Sequence, residues 1–409
     1  MRSIRDIALY NKTVFLRVDF NVPLSADGTI ADDTRIKAVL PTISYILSKQ
    51  TKLIIASHLG RPHGKVVSGL RLAPVAQRLQ QLLGQPIHYV PDCIGIEVDE
   101  TKTRLQPGEI LLLENVRFHQ EETANDMHFA EVLAEGIDVY ISDAFGALHR
   151  QHATTHALPS LIFDRGVGFL IEQEIQALEQ VTQEPRRPLV TIMGGGKVTD
   201  KIDLLRRIAH LSDIVLIGGA MANTFVHALG GEVGRSIMDS AQSDTHMANQ
   251  EALALWNEFS SQSSQQFNIP RLQLPLDYIA VPYPADEHLQ ETQVIALAAG
   301  QTVPADWMCV DIGPATIQHY TEIIKQAATI FWNGPLGWTE YKQFAVASQA
   351  IATSISTTNC YSVIGGGDTQ AFLKTQSLNG RFSHLSTGGG ASLEYIATGT
   401  LPGLDVLNS

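Results

Sequence analysis

The sequence predicts an α/β protein of two domains, each a parallel sheet flanked by helices. Three observations carry that reading. Short apolar runs of strand length alternate with helix-period segments along the whole chain, the pattern of strands linked by crossover helices. The 409 residues, 44% of them apolar, exceed one ordinary core and suit two of about 200 residues each. The distinctive residues stand just after the apolar runs, at the edge where open parallel sheets bind their ligands.

In the first half, strands are read at 14–20, 53–57, 87–90, 110–114 and 139–142. Each is a short apolar run with β-branched residues, as in VFLRVDF and LIIAS. Helices are expected near 35–49, 73–83 and 128–135, where apolar residues recur at three- and four-residue spacing. Segment 168–181 then sets Leu170, Ile171, Ile175 and Leu178 on one face of a connecting helix. The stretch 183–188, with Pro185 and Pro188, separates it from the next strand. In the second half, strands are read at 189–193, 214–217, 307–310, 329–332 and 361–364, and helices near 201–210, 221–229, 316–327, 344–356 and 368–375. The division is therefore a first domain over 1–170, a connecting helix and linker over 171–188, and a second domain over 189–390, with 260–266 a polar loop.

A formal charge of −13 disfavours a nucleic-acid surface or an acidic membrane as partner. Residues 1–170 hold 17 Lys and Arg against 19 Asp and Glu, and the remainder 12 against 23. An anion-collecting first half would show that asymmetry, and so would solvated acidic helices in the second. Cys93, Cys309 and Cys360 are few and scattered, without metal-ligand spacing, as in a reduced cytosol. The first residues lack the apolar segment of a signal peptide. The most apolar stretch, 211–229, is interrupted by Asp213, Asn223 and His227, short of the roughly 20 apolar residues of a membrane helix. A cytoplasmic location is expected.

Five motifs of the first half end strands with basic side chains: LRVDFNVP, DDTRI, SHLGRP, LLLENVRFH and DAFGALHRQH. Single arginines are usually surface residues. Arg35, Arg61, Arg117 and Arg150, with His58, on loops of one predicted edge are read as a pocket for phosphate and carboxylate, which guanidinium forks bind in pairs. Asp19 and Asn21 could brace their turn or touch the anion. Arg17, inside an apolar strand, reads as half of a structural ion pair with Asp19 or Glu114. His149 and His152 are too few for a metal site and read as supporting residues.

The second half carries five glycine clusters: MGGGKVTDK, IGGAMANTF, WNGPLGWTE, IGGGDTQ and STGGGAS. Glycine lets backbone N–H groups approach a polyphosphate. The usual P-loop is excluded, because Gly64-Lys65 and Gly196-Lys197 are each followed by valine. No cluster has dinucleotide spacing with a downstream acid, which disfavours a nicotinamide dehydrogenase. Lys197 and Lys201 could be a solvated helix face, yet Lys197 directly follows the glycines at a predicted helix start, where negative charge is already favoured. Asp368 could be only an N-cap; beside a polyphosphate its carboxylate would hold Mg²⁺. Gly388, Gly389 and Gly390 would offer N–H donors to a moving phosphoryl group.

Taken together, RVDFNVP, SHLGRP, LLLENVRFH, DAFGALHR, GGGKVTDKI, GGAMANTF, WNGPLG, GGGDT and STGGGASLE resemble the phosphoglycerate kinase family in order and approximate spacing, over about 14–404. The resemblance implies two Rossmann-like domains joined by a connecting helix with a cleft between them, and a C-terminal segment, 391–409, returning to the first. It implies reversible phosphoryl transfer between 1,3-bisphosphoglycerate and ADP, giving 3-phosphoglycerate and ATP, in glycolysis and gluconeogenesis. It assigns 3-phosphoglycerate to the first domain through Asp19, Asn21, Arg35, His58, Arg61, Arg117 and Arg150. MgATP or MgADP falls to the second through Gly195, Lys197, Lys201, Gly218, Gly219, Asn333, Pro335, Gly337, Glu340, Gly367, Asp368 and Thr369. Glu340 is assigned to the ribose, Asp368 to Mg²⁺, and Arg35, Lys197 and Gly389 to the phosphoryl group in flight. A monomer that closes by hinge bending is implied as well. Ala315, Trp338 and Gly196 depart from the family's usual lysine, smaller aliphatic residue and alanine. The alternative is a non-catalytic homologue that binds phosphometabolites.

Overall fold

The structure is a computed structural model describing residues 1–25, 27–196, 202–238, 245–285, 295–298 and 300–408. It divides into two units, Met1–Gln176 with Thr398–Ser409, and Ala177–Ala397. The division falls inside the helix Phe169–Thr182.

The first unit contains β1 (Thr13–Val18), β2 (Lys52–Ala56), β3 (His88–Tyr89), β4 (Ile110–Leu112), β5 (Val139–Asp143) and β6 (Asp164–Val167). They form one sheet in the order β3-β4-β2-β1-β5-β6, with every pairing parallel. β1 stands between β2 and β5, so the chain's crossovers leave it in opposite directions and open a crevice beyond its carboxyl end. The helix Thr34–Leu47 buries Ile36, Val39, Ile43 and Ile46, the spacing of one helical face. The helix Ala73–Leu83 stops at Gly84, whose left-handed backbone (φ 67°) returns an N–H to the Gln80 carbonyl.

Two elements escaped the sequence. β6 begins with Asp164 and Arg165, which hide its strand character; it is an edge strand paired with β5, with a single bridge from Val167 to Ser3 on its other side. The helix Ile96–Arg104 buries only Val98, so it has almost no apolar stripe to detect. The last helix, Pro402–Asn408, rests on the first unit. Its Gly403 N–H donates to the Leu148 carbonyl at 2.9 Å, and Arg165 Nε donates to the Val406 carbonyl at 3.0 Å.

The second unit contains β7 (Leu189–Met193), β8 (Ile214–Ile217), β9 (Leu272–Gln273), β10 (Asp277–Pro282), β11 (Ile295–Ala298), β12 (Trp307–Ile312), β13 (Thr329–Asn333), β14 (Tyr361–Gly365) and β15 (His384–Leu385). A parallel sheet runs β15-β14-β13-β7-β8-β9. Here β7 holds the position that β1 has in the first unit. The strand read at 307–310 is real, but it belongs to a separate antiparallel sheet, β11-β10-β12. Only one face of such a sheet needs burial, and β12 begins with the matching alternation of buried Met308 between partly exposed Trp307 and Cys309. The helix Thr245–Phe259 was also missed, because its buried stripe is Ala248, Ala252, Leu255 and Phe259, two of them alanine. No described helix is long and apolar enough to cross a membrane.

Asp143, at the end of β5, organises the start of the helix Phe169–Thr182. Its carboxylate accepts from the Ile171 N–H at 3.2 Å, and the Thr42 hydroxyl accepts from the Phe169 N–H at 3.0 Å. Burial pushes the Asp143 carboxyl up to about 7 despite these donors. The folded state thus holds this proton more tightly than the unfolded chain, whose aspartates titrate near 3.9. The stabilisation is full below about pH 4 and is lost as pH rises through 7. Asp143→Asn, which cannot ionise, should gain on the wild type by on the order of 3 kcal/mol between pH 4 and pH 8. Denaturant unfolding at the two pH values reads the difference, and equal pH dependence in both proteins contradicts the assignment.

Candidate active site

The carboxyl ends of β1, β2, β4 and β5 carry the basic group foreseen in the first half. Asp19 and Asn21 follow β1 directly. The Asp19 carboxylate accepts from the Asn21 N–H at 3.2 Å and pairs with Arg35, which enters from the first turn of the helix Thr34–Leu47. His58, after β2, places Nε2 3.9 Å from the same carboxylate. The Asn21 side chain accepts from the Gly60 N–H at 2.8 Å, and Arg117 donates to the Gly60 carbonyl at 2.9 Å. Arg117 lies in the turn Val116–Phe118, capped by the Asn115 side chain. Asp19, Asn21, Arg35, His58 and Arg117 are thus tied together through one loop. Arg61 and Arg150 are exposed cations on loops of the same unit, and Arg150 Nε donates to His149 Nε2 at 3.1 Å.

Arg17 is wholly buried, and its partner is Glu122 rather than Asp19 or Glu114. Its guanidinium lies 3.9 Å from the equally buried Glu122, with Thr154 between them: Arg17 Nε donates to the Thr154 hydroxyl at 2.8 Å, which donates to Glu122 at 2.6 Å. Glu114 is already committed to Arg71 and Tyr89, at 2.9 and 2.5 Å. A third contact from Arg17 reaches His58 Nδ1 at 3.3 Å.

The accumulated positive charge is visible in how the neighbours titrate. Burial alone would raise the Asp19 carboxyl, but His58, Arg35 and Arg17 outweigh it and hold it below the ordinary value. Burial first, then Arg17 and Arg150, bring Arg117 down to about 10. Burial and the nearby arginines depress His58, and His152 falls to about 4 for the same reasons. The histidines are therefore neutral at pH 7, and the cluster's charge rests on guanidinium groups. Arg117 Nε is buried with no partner among the described residues, a donor left for an incoming anion.

In the second unit the glycine loops after β7, β8 and β13 interlock. Gly194 N–H donates to the Asn333 carbonyl and Gly195 N–H to the Pro335 carbonyl, each at 2.9 Å, and Gly219 N–H donates to the Leu336 carbonyl at 3.0 Å. Gly219 (φ +61°) has no room for a side chain: a Cβ would lie 2.8 Å from the Pro335 oxygen. At Gly334 (φ +89°) it would strike the Gly194 backbone. The N–H groups of Gly195 and Gly219 are thus engaged by neighbouring loops. These glycines serve close packing at least as much as an approaching phosphate.

Gly195, Gly219, Pro335, Gly337, Glu340 and Asp368 line one pocket. Gly218, Asn333, Gly367 and Thr369 adjoin it in sequence. The Thr369 hydroxyl accepts from the Gly334 N–H at 3.0 Å, binding the GGGDT turn to the WNGP loop. Asn333 is buried, and its side-chain Nδ2 has no partner among the described residues. Asp368 is exposed in the first turn of the helix Gly367–Thr375, whose N-cap is Gly366. Its carboxylate is not the cap, and its hard oxygen donors suit Mg²⁺. Gly389 (φ +54°) precedes the helix Gly390–Thr398. Lys197 and Lys201 lie outside the described residues.

Sequence reading missed Asn223, Tyr278 and Asp311 in the pocket wall. Asp311 had a signal, an acid at the end of a strand. Burial pushes it up to about 7, and it accepts from the Ala347 N–H at 3.0 Å. Distant segments also bring Asp92, Cys93 and His119 within 4.8 Å. Burial raises the Cys93 thiol, making it a poor ligand at neutral pH.

Residues 4–399 match the family described as phosphoglycerate kinase. The chain belongs to the phosphoglycerate kinase family. It is 43% identical to the phosphoglycerate kinase of Moorella thermoacetica over 99% of this chain and 98% of that relative. Its fold is similar to the structure of phosphoglycerate kinase from Coxiella burnetii, with a TM-score of 0.83 and 33% identity over 100% of this chain and 98% of that one. The Pyrococcus horikoshii phosphoglycerate kinase gives the same TM-score at 31% identity, with the same coverage.

Against the family pattern, Gly196 has open space where an alanine methyl would sit. Ala315 is exposed, with its N–H donated to Asp277 at 2.9 Å, and does not line the pocket. Trp338 does line it, held edge-on to Tyr341 with ring centres 5.1 Å apart.

Glu122→Ala should destabilise the first unit by about 3–5 kcal/mol, because it leaves Arg17 buried without its counter-charge. Glu122→Gln keeps one of the two acceptors for Thr154 and should cost less. Urea titration distinguishes them, and a Glu122→Ala loss below about 1 kcal/mol, the scale of an exposed pair, removes the buried ion pair as a structural determinant.

Proposed function

We propose that this protein catalyses the reversible transfer of a phosphoryl group between 1,3-bisphosphoglycerate and ADP, producing 3-phosphoglycerate and ATP, as in glycolysis and gluconeogenesis. Family membership supports the reaction. The observation that supports its location is the pair of buried, unpartnered donors, Arg117 Nε and Asn333 Nδ2, each at a position assigned to a substrate. In this reading Asp19, Asn21, Arg35, His58, Arg61, Arg117 and Arg150 hold 3-phosphoglycerate, and the pocket beyond β7, β8 and β13 holds the nucleotide. We further take the protein to be a monomer, as the family resemblance implies, and cytoplasmic, a location that its three free cysteines fit.

The chemistry asks for no general base. The acceptor in the ATP-consuming direction is a carboxylate, already ionised near neutral pH. Catalysis consists of aligning donor and acceptor oxygens and offsetting charge on the transferring group. Arg35, Lys197 and the N–H groups around Gly389 carry that task. Mg²⁺, held through Asp368, would neutralise phosphate charge when bound with the nucleotide. Because the two substrates are assigned to different units, transfer requires hinge bending that brings their loops together and excludes water.

A coupled assay following ATP-dependent formation of 1,3-bisphosphoglycerate tests the activity; no turnover with MgATP and 3-phosphoglycerate rules it out. Lys197→Ala should lower kcat by a factor corresponding to about 3 kcal/mol or more while 3-phosphoglycerate affinity stays near wild type. A variant retaining over half of kcat would refute the role. Arg117→Ala should weaken 3-phosphoglycerate binding about tenfold or more and leave ADP binding unchanged. Equilibrium titration with each ligand decides it, and the opposite pattern reverses the assignment of the two units.

A further inference from the structure

Behind the nucleotide pocket lies a second cavity of about 320 Å³, larger than the pocket itself at about 180 Å³. It is lined from the helices Gly219–Ala228 and Thr245–Phe259 and from all three strands of the antiparallel sheet. Its walls are apolar: Val226, Leu229, Val233, Trp256, Leu297 and Val303. Among the described residues, the one charged residue in the lining is Glu232, and none there is basic. A phosphate or carboxylate ligand therefore has nothing to bind it, which separates this cavity chemically from the nucleotide pocket. The two share Asn223, Tyr278 and Cys309 as a common wall.

Tyr278 supplies the second observation. It is 7% exposed, and its hydroxyl is buried with no hydrogen-bond partner among the described residues. Buried hydroxyls are ordinarily paired, and an unpaired one has already lost its water without recovering a bond. Burial raises its pKa, so the group is a neutral donor at physiological pH. A ligand acceptor meeting that hydroxyl would restore the missing bond with no further desolvation on the protein side.

We propose that this cavity is a second ligand site, distinct from the nucleotide pocket, for a flat, neutral, apolar molecule bearing one hydrogen-bond acceptor that Tyr278 recognises. Apolar walls supply the affinity and the single buried donor supplies orientation, the usual division of labour in small-molecule sites.

Quinoline and naphthalene test it, since they share one shape and only quinoline has a ring-nitrogen acceptor. Ligand-observed NMR titration of the full chain, with and without saturating MgADP, gives both affinities. Quinoline should bind under both conditions and at least threefold more tightly than naphthalene. Tyr278→Phe should reverse that order, and Val226→Trp, which fills the cavity and does not line the nucleotide pocket, should abolish binding of both. The proposal is overturned if quinoline fails to bind, if MgADP displaces it, or if naphthalene binds the wild type as tightly. It is equally overturned if quinoline survives Val226→Trp unchanged. The wild-type comparison decides the question even if a variant fails to fold, and the arm without MgADP decides it independently of the proposed activity.

Discussion

A carboxylate shut away from water, that of Glu122, fixes the basic cluster of the first unit. It neutralises Arg17 within the sheet and takes two hydrogen bonds from Thr154, at 2.9 and 2.6 Å. With that guanidinium in place, the Nη2 that faces Glu122 also reaches His58 Nδ1 at 3.3 Å. His58 in turn faces Asp19, and Asp19 faces Arg35. Removing a solvated partner from such a chain costs little, but removing the buried one leaves an isolated charge where the dielectric is low. Arginines at the mouth of the cluster repel one another, and only a framework already charge-balanced from beneath can hold them close. The exposed cations are affordable to the fold because the deepest one is answered.

The second unit meets a different constraint. Its loops beyond β7, β8 and β13 approach until backbone touches backbone, so the residues there must lack side chains regardless of any ligand. Gly219 and Gly334 are dictated by contacts with Pro335 and Gly194. The glycine-rich appearance of the site is therefore partly a packing requirement.

Much of this was legible in the sequence because the parallel strands are buried on both faces and read as continuous apolar runs. The strands at 189–193 and 214–217 match β7 and β8 in both bounds. Reading failed where burial is one-sided or the core positions are small. β10 and β11 form the rest of an antiparallel sheet whose outer face is open, and the helix Thr245–Phe259 packs through alanines. Cations on the loops after β1, β2, β4 and β5 could be grouped because a parallel sheet sends all such loops to one edge. The partner of Arg17 could not be found that way, since Glu122 comes from a helix far along the chain and nothing local marks it. Tyr278 and Asn223 were invisible for a related reason: they belong to the pocket through the antiparallel sheet and a helix flank, not through a motif.

The helix Pro402–Asn408 has a consequence for how the molecule is made. It covers Leu148 and engages Arg165 in the first unit, yet it is synthesised only after the whole of the second unit. About 220 residues separate it from Gln176, where the first unit otherwise ends, and translation at roughly 5–20 residues per second takes on the order of 10–45 s to cross that interval. During that time the first unit waits on the ribosome without its closing piece, while the whole of the second unit is made. Completion of the first unit is thus timed by a helix made after the second, and a chain interrupted anywhere between them is left without that closing piece.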